Sequence, residues 1–259
     1  MEREEIRKKK EAGAPKPWTR DPILQSYRFC NVRREDDKVT RWFAENWRHK
    51  QYWNEPNFIA AIMLGRTINW PETLAELGFP FEWDRDLFLS IMDQRQGRGE
   101  KMYTGAYMIT AGPTGVRKNL FVLSNAMTYF QRPPQMYPTL QASWEGIMEA
   151  NYPCVGPFIA GQIIADLKQT SHLSPATDWW DWAAVGPGST RGLHRLYGRN
   201  LKDRLSQEQA LEEMREVRDA LDLPFRLCLQ DVQNCLCETD KYLRVKWGQG
   251  KPRSTYPGT

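Results

Sequence analysis

Residues 149–167 read EANYPCVGPFIAGQIIADL. A helix carrying Trp144, Ile147 and Met148 runs into this stretch and breaks at Tyr152-Pro153. The chain turns through Val155-Gly156-Pro157 and restarts as an apolar helix with Ile159, Ile163, Ile164 and Leu167. Proline suits the first helical position, where its missing N–H is one the helix leaves unpaired anyway. A second helix entered through a glycine turn points its first amides outward, beside the positive end of its dipole, so it can hold a phosphate without a side chain. The amides around Val155, Gly156 and Phe158 are therefore expected to hold a nucleic-acid backbone. A plain interhelical turn is the competing explanation.

On either side of this stretch the helical period of 3.6 recurs along the chain. Val39, Trp42, Phe43 and Trp47 share one face of a helix over 39–53. Further helices are expected at 57–66, 71–77, 85–94, 116–130, 140–150, 157–167, 189–197, 207–221 and 227–241. The helix at 207 is the best signed, with Ser206 as cap, Gln209 completing a capping box, and Leu211, Met214, Val217 and Leu221 as its buried stripe. No segment alternates with the period of a strand, so the fold class is all-α, mainly helical. Residues 1–17 read as a flexible, charged arm, and 18–259 as one helical domain.

The net charge of +4 is unevenly spread. Residues 1–20 sum to +3 and residues 241–259 to +5, which leaves −4 for the rest. A grip on a polyanion must come from local patches, of which RGLHRLYGRNLKDR, residues 191–204, is the best, unless it is merely a solvated helix face. Five cysteines without paired spacing suit a reducing compartment, and no run approaches the ~18 apolar residues of a membrane span. A cytoplasmic protein with no membrane partner is expected.

A second glycine turn lies in TDWWDWAAVGPGSTRGLHRLYGR. Here Gly186 and Gly188 precede Ser189 and Thr190, either of which can cap a helix bearing Arg191, and the turn is a second candidate for backbone phosphate. Upstream, Asp178 lies among Trp179, Trp180 and Trp182. A carboxylate beside indoles suits a pocket where a base stacks and an acid or base acts, with Asp178 as the catalytic group and Trp179 and Trp182 as stacking rings. Equally, Asp178 can cap a helix and the tryptophans can be core.

YPCVGPFIAGQIIADL resembles the helix–hairpin–helix of the DNA glycosylase superfamily, and Asp178 stands about where that superfamily has its catalytic carboxylate. Phe158 occupies the place of the lysine of its bifunctional members, and the four-cysteine cluster spacing is missing. WTRDPILQSYRFCNVRREDDKVTRWF (18–43), LQDVQNCLCETDKYLRVKWGQGKPRSTY (229–256) and GPGSTRGL are similar to signatures of the bacteriophage thymidine-hypermodification proteins. These are the α-glutamyl/putrescinyl-thymine pyrophosphorylase group, which includes amino acid:DNA transferases and a helical domain also named after 5-hydroxymethyluracil DNA kinase.

This resemblance implies a glycosylase-like helical fold and a phage protein acting in its bacterial host. Its partners would be double-stranded DNA containing a modified thymine and a small amine or amino acid donor, which displaces pyrophosphate from 5-pyrophosphoryloxymethyl-uracil. A kinase-associated or glycosylase-type enzyme on the same base, or a non-catalytic DNA-binding module, are the alternatives. The opening signature supplies Arg28, Asn31, Arg34 and Asp37, and the closing one Glu238, Lys241 and Tyr242. On a helix or tight turn, Arg28, Asn31 and Arg34 would share a face and, with Arg191 and Lys241, hold the anionic group. An ion-pair network bracing the first helix is the other explanation.

AGPTGVRKN, residues 111–119, lacks the order of a Walker loop. Cys235 and Cys237 fall on different faces of a helix, and three scattered histidines give zinc no support, so neither a metal nor a cofactor is expected.

Overall fold

The computed structural model describes residues 2–105, 117–252 and 255. Among them are twelve α-helices and no sheet; the one isolated bridge pairs Tyr27 with Thr255. The all-α class holds. Part of the segment 111–119 lies outside the described residues. The chain divides into two compact units, one made of both ends, Met1–Asp37 and Trp180–Thr259, and one continuous, Lys38–Trp179.

The end-derived unit holds α1 (Glu2–Glu11), α2 (Pro22–Ser26), α10 (Pro187–Leu196), α11 (Gln207–Asp219) and α12 (Leu229–Lys246). Where a flexible arm is expected, α1 forms instead. Glu2, Glu4 and Glu5 lie in its first turn and Lys8, Lys9 and Lys10 in its last, the arrangement that complements a helix dipole. Its one apolar residue, Ile6, is buried in a small cluster with Leu24 and Phe29, closed by Trp18 and Tyr242. Asp21 caps α2 by accepting from the amides of Ile23 and Leu24.

The closest helix pair of this unit is α10 on α12. A Cβ built on Gly192 would stand 2.4 Å from the Leu236 carbonyl oxygen, and one on Gly188 would stand 2.9 Å from Cys237 Sγ. Glycine at both places lets the two backbones approach. The predicted capping box of α11 is present: Gln209 N–H donates to Ser206 Oγ and Ser206 N–H to Gln209 Oε1. Because α11 ends at Asp219, Leu221 falls beyond it and is exposed, whereas Leu211 and Met214 are buried.

The continuous unit holds α3 (Lys38–Glu45), α4 (Phe58–Ile68), α5 (Pro71–Leu77), α6 (Arg85–Gly97), α7 (Lys118–Gln131), α8 (Leu140–Glu149) and α9 (Pro157–Leu167). The helix expected over 39–53 is interrupted after Glu45 and continues only as a 3-10 turn at Lys50–Tyr52. Two helices are buried nearly all round. In α4 every residue but Ile59 is buried, and α9 is buried from Ile159 to Leu167. Helices so apolar form the centre of a core. They are also joined by charge: fully buried Asp166 of α9 accepts from Arg66 of α4 and, at 3.2 Å, from Arg48.

Candidate functional site

In the end-derived unit the two signature segments meet. Residues 28–33 are not helical, with a bend at 32–33, and only Arg34–Asp36 closes into a 3-10 turn. The polar face of α12 holds this backbone through Asp231, Asn234 and Glu238, spaced at i, i+3 and i+7. Asp231 Oδ1 accepts from Arg34 N–H at 2.9 Å, the Asn234 amide donates to the Asn31 carbonyl at 3.4 Å, and Glu238 Oε2 accepts from Cys30 N–H at 3.1 Å. From α1, Arg3 donates to the carbonyls of Phe29 at 2.7 Å and Cys30 at 3.2 Å.

Asn31 is the knot of the segment. Its N–H donates to Asp37 Oδ1 at 2.8 Å, its side-chain amide donates to the Asp36 carbonyl at 2.7 Å, and its Oδ1 accepts from Arg3 at 3.2 Å. A cavity of about 300 Å³ opens beside it, lined among others by Phe29, Cys30, Asn31, Glu238, Thr239 and Tyr242. Lys241 pairs with Glu238 at 2.6 Å and lies 4.7 Å from the centre of the Phe29 ring. Tyr242 donates to Asp21 at 2.6 Å.

Burial pushes the Asp37 carboxyl up to about 6, with the Glu238 charge adding to the rise and the Asn31 amide and Arg34 opposing it. A carboxyl poised near neutrality can take or give a proton at physiological pH. The thiols beside it are less suited to chemistry. Burial pushes Cys30 far up and Cys235 up to about 12, so both stay protonated, and a thiol is a poor nucleophile.

The predicted residues fare unevenly. Arg28, Asn31 and Arg34 do not share a helical face, because the backbone between them is not helical; Arg28 is exposed and Arg34 is buried. Arg191 lies on α10 and Lys241 on α12, both in the same unit. Arg191 Nε donates to the buried carboxylate of Asp240 at 2.9 Å. Gly186 caps α10, and its own N–H donates to Ser189 Oγ at 3.1 Å. Gly188 has a structural explanation in the approach of α12. Trp182 is 3 % exposed, so no base can stack on it unless it leaves the core.

In the continuous unit, α8 and α9 are joined by the expected turn. The left-handed residues of that turn are Asn151 and Cys154, not Gly156, whose φ of −81° is open to any residue. A Cβ on Gly156 would meet nothing within 4 Å. Neither conformation nor packing asks for glycine here. Gly156 caps α9 without a side chain, Val155 is buried, and Phe158 is 52 % exposed.

Asp178 takes the cap geometry. Its two oxygens accept from Leu140 N–H at 2.6 Å and Gln141 N–H at 3.0 Å, in the first turn of α8. Trp179 belongs to the same unit, and Trp182 does not. The Trp179 indole donates to the Lys168 carbonyl at 2.7 Å, and the Lys168 ammonium stands 3.8 Å from its ring centre. One face of that ring is thus taken by a cation.

Among the described residues no group of three or more His, Cys, Asp or Glu side chains could hold a metal, and no helix is long and apolar enough to cross a membrane. Sequence reasoning missed Asp231, Asn234 and Asp240, whose partners are remote in sequence. The i, i+3, i+7 polar stripe on α12 was the available signal for the first two.

Residues 1–252 match the family described as 5-hmdU DNA kinase, helical domain. A 5-hmdU DNA kinase of Bacillus phage SP10 is 25 % identical over 209 residues, which cover 71 % of this chain and 33 % of that relative. The match thus spans about a third of the relative's length. No solved structure matches.

Proposed function

The chain belongs to the family of the 5-hmdU DNA kinase helical domain, and from that premise we propose that it modifies thymine already built into phage DNA. The reaction is displacement of pyrophosphate from 5-pyrophosphoryloxymethyl-uracil by an amine or amino acid. The observation that supports this reading is the segment 28–37 clamped on α12, where burial raises the Asp37 carboxyl to about 6 near Arg34 and Glu238, and where Asn31 and Glu238, the partner of Lys241, line a cavity.

In the step proposed, the amine nitrogen bonds to the 5-methylene carbon as the bond from that carbon to the pyrophosphate oxygen breaks. The electron pair leaves with pyrophosphate, and the amine proton passes to a protein base. Cations fixed in advance stabilise the charge that grows on the leaving group. Arg28, Arg34 and Lys241 are the candidates, with Asn31 holding the segment in shape. The base is Asp37 or Asp178. Geometry favours Asp37, because both oxygens of Asp178 already accept helix amides. The turn at Gly156 would hold DNA backbone, which fits a glycine that neither φ nor packing requires.

The test is mass analysis of duplex DNA carrying the pyrophosphorylated base, incubated with the protein and a panel of amino acids and polyamines without triphosphate. The expected product gains the amine, loses pyrophosphate in equal number, and keeps its glycosidic bonds. The phage SP10 relative, a 5-hmdU DNA kinase, supports a second reading, a kinase. A gain of phosphate that requires triphosphate would replace transfer by that activity. Base release would mean a glycosylase, and no change across the panel would leave a binding module.

A further inference from the structure

The packing of α10 on α12 concentrates charge at one place. Gly188 and Gly192 let the helices close, and this brings Arg191 and Arg195, one turn apart on α10, to the same carboxylate of α12. Asp240 is 1 % exposed and accepts from Arg191 Nε at 2.9 Å and Arg195 Nε at 2.8 Å. A third guanidinium, Arg244, stands 3.5 Å from the same carboxylate, one turn further along α12.

One buried carboxylate needs one cation for neutrality, and this one contacts three. The surplus is two positive charges. The Arg195 side chain is 3 % exposed and is held further by Gln249 at 2.8 Å, whereas Arg191 and Arg244 are each more than a third exposed. Among the described residues, the buried Nε of Arg244 has no hydrogen-bond partner. Buried donors are normally satisfied, and like charges crowd together only at a cost. The charge surplus is offset by an anion of about two charges carrying several acceptor oxygens.

We propose that Arg191, Arg195 and Arg244, set in place by Asp240, form a phosphate-binding site. Asp240 holds Arg191 and Arg195 by hydrogen bonds through Nε and draws Arg244 by charge alone, which leaves the outer N–H groups of Arg191 and Arg244 for the ligand. Two N–H groups directed at phosphate oxygens make the strong, bidentate form of this contact. Trp247, 53 % exposed, lies beside the site with its ring 5.0 Å from the Arg195 guanidinium. An indole next to a phosphate site suits a nucleotide base, so a nucleic-acid strand is the occupant that the surroundings favour. The site serves binding alone and requires no modified base, so it stands or falls apart from the proposed reaction.

Arg191→Gln and Arg244→Gln test it, with Arg85→Gln, at an exposed position of α6, as a control of equal charge change. Binding of an unmodified, fluorescently labelled DNA strand is followed by anisotropy across a salt series, with inorganic pyrophosphate as a separate ligand. Each cluster variant should weaken its ligand about tenfold. For DNA it should also reduce the slope of log K against log salt by about one, while Arg85→Gln changes neither. Loss with DNA identifies a strand as the source of the phosphate; loss with pyrophosphate alone identifies a free phosphate. If folded variants bind both ligands as wild type does, the cluster is only an ion lattice and the proposal fails. Should Arg191→Gln not fold, Arg244→Gln decides, since its Nε makes no hydrogen bond that folding could lose.

Discussion

Gly188 and Gly192 lie within α10 and Gly156 at the start of α9, and the structure ranks what a methyl group would do at each. At Gly192 the added Cβ would stand 2.4 Å from the Leu236 carbonyl oxygen and 2.8 Å from its carbon. Those atoms are backbone in the middle of α12 and cannot rotate away. Restoring an ordinary contact takes a shift of about 1 Å of one helix against the other, and overpacking of this kind costs roughly 2–3 kcal/mol. At Gly188 the nearest atom is Cys237 Sγ at 2.9 Å, which can rotate, so Gly188→Ala should lose less. At Gly156 nothing lies within 4 Å, and φ is −81°. There Ala should be neutral or stabilise by up to about 1 kcal/mol, because it removes freedom from the unfolded chain. Urea unfolding followed by circular dichroism checks the order. With a slope of about 2–3 kcal/mol per M, Gly192→Ala should lower the midpoint by about 1 M. A Gly192→Ala protein as stable as wild type would refute the close approach of α10 to α12, and with it the geometry of the arginine cluster.

Asp166→Asn should cost about 3–5 kcal/mol in the same assay, because it removes the buried carboxylate that Arg48 and Arg66 share. Asp178→Ala should lose about 1 kcal/mol as the first turn of α8 loses a cap; a folded Asp178→Asn variant with near-normal turnover would confine the residue to that part. For Asp37, a folded-state value of about 6 lies above the 3.8 of a free carboxyl, so the folded state holds the proton more tightly and its ionisation opposes folding. Stability should therefore fall as pH rises from about 4 to 6, and Asp37→Asn should flatten that part of the pH–stability curve; an unchanged curve would remove the shifted carboxyl. Gly156→Val should weaken DNA binding while leaving the helical circular-dichroism signal intact. Equal affinity in the folded variant would remove the backbone role of that turn.

Much of the helical plan was legible because the signals were local. Pro71–Leu77 and Pro157–Leu167 have the predicted bounds, since a proline at the first position and a glycine at one end mark helices within a few residues. The capping box at Ser206 was legible for the same reason. The first helix was not, because a run of charge resembles a disordered arm unless one knows that a single isoleucine, Ile6, finds a hydrophobic seat. The candidate site was legible only as a set of segments. Resemblance brought residues 28–37 and α12 together, yet the contacts between them join positions about two hundred apart, such as Arg34 to Asp231, which no local period reports. The GPGSTRGL stretch shows the same limit. Its glycines suggested an open phosphate turn, and the partner that explains Gly188 and Gly192 is a helix more than forty residues downstream.

The division of the chain has a consequence for its birth on the ribosome. The unit that holds residues 28–37 and α12 is assembled from both ends, so its first 37 residues emerge early and then wait for Asp231 and Glu238. The intervening stretch, Lys38–Trp179, is continuous and can collapse about its own core while translation proceeds, as domains generally do in order of synthesis. During that interval Phe29, Leu24 and Ile6 have each other but lack Tyr242. Truncation at either end should therefore damage one and the same unit. A fragment spanning 38–179 should survive on its own.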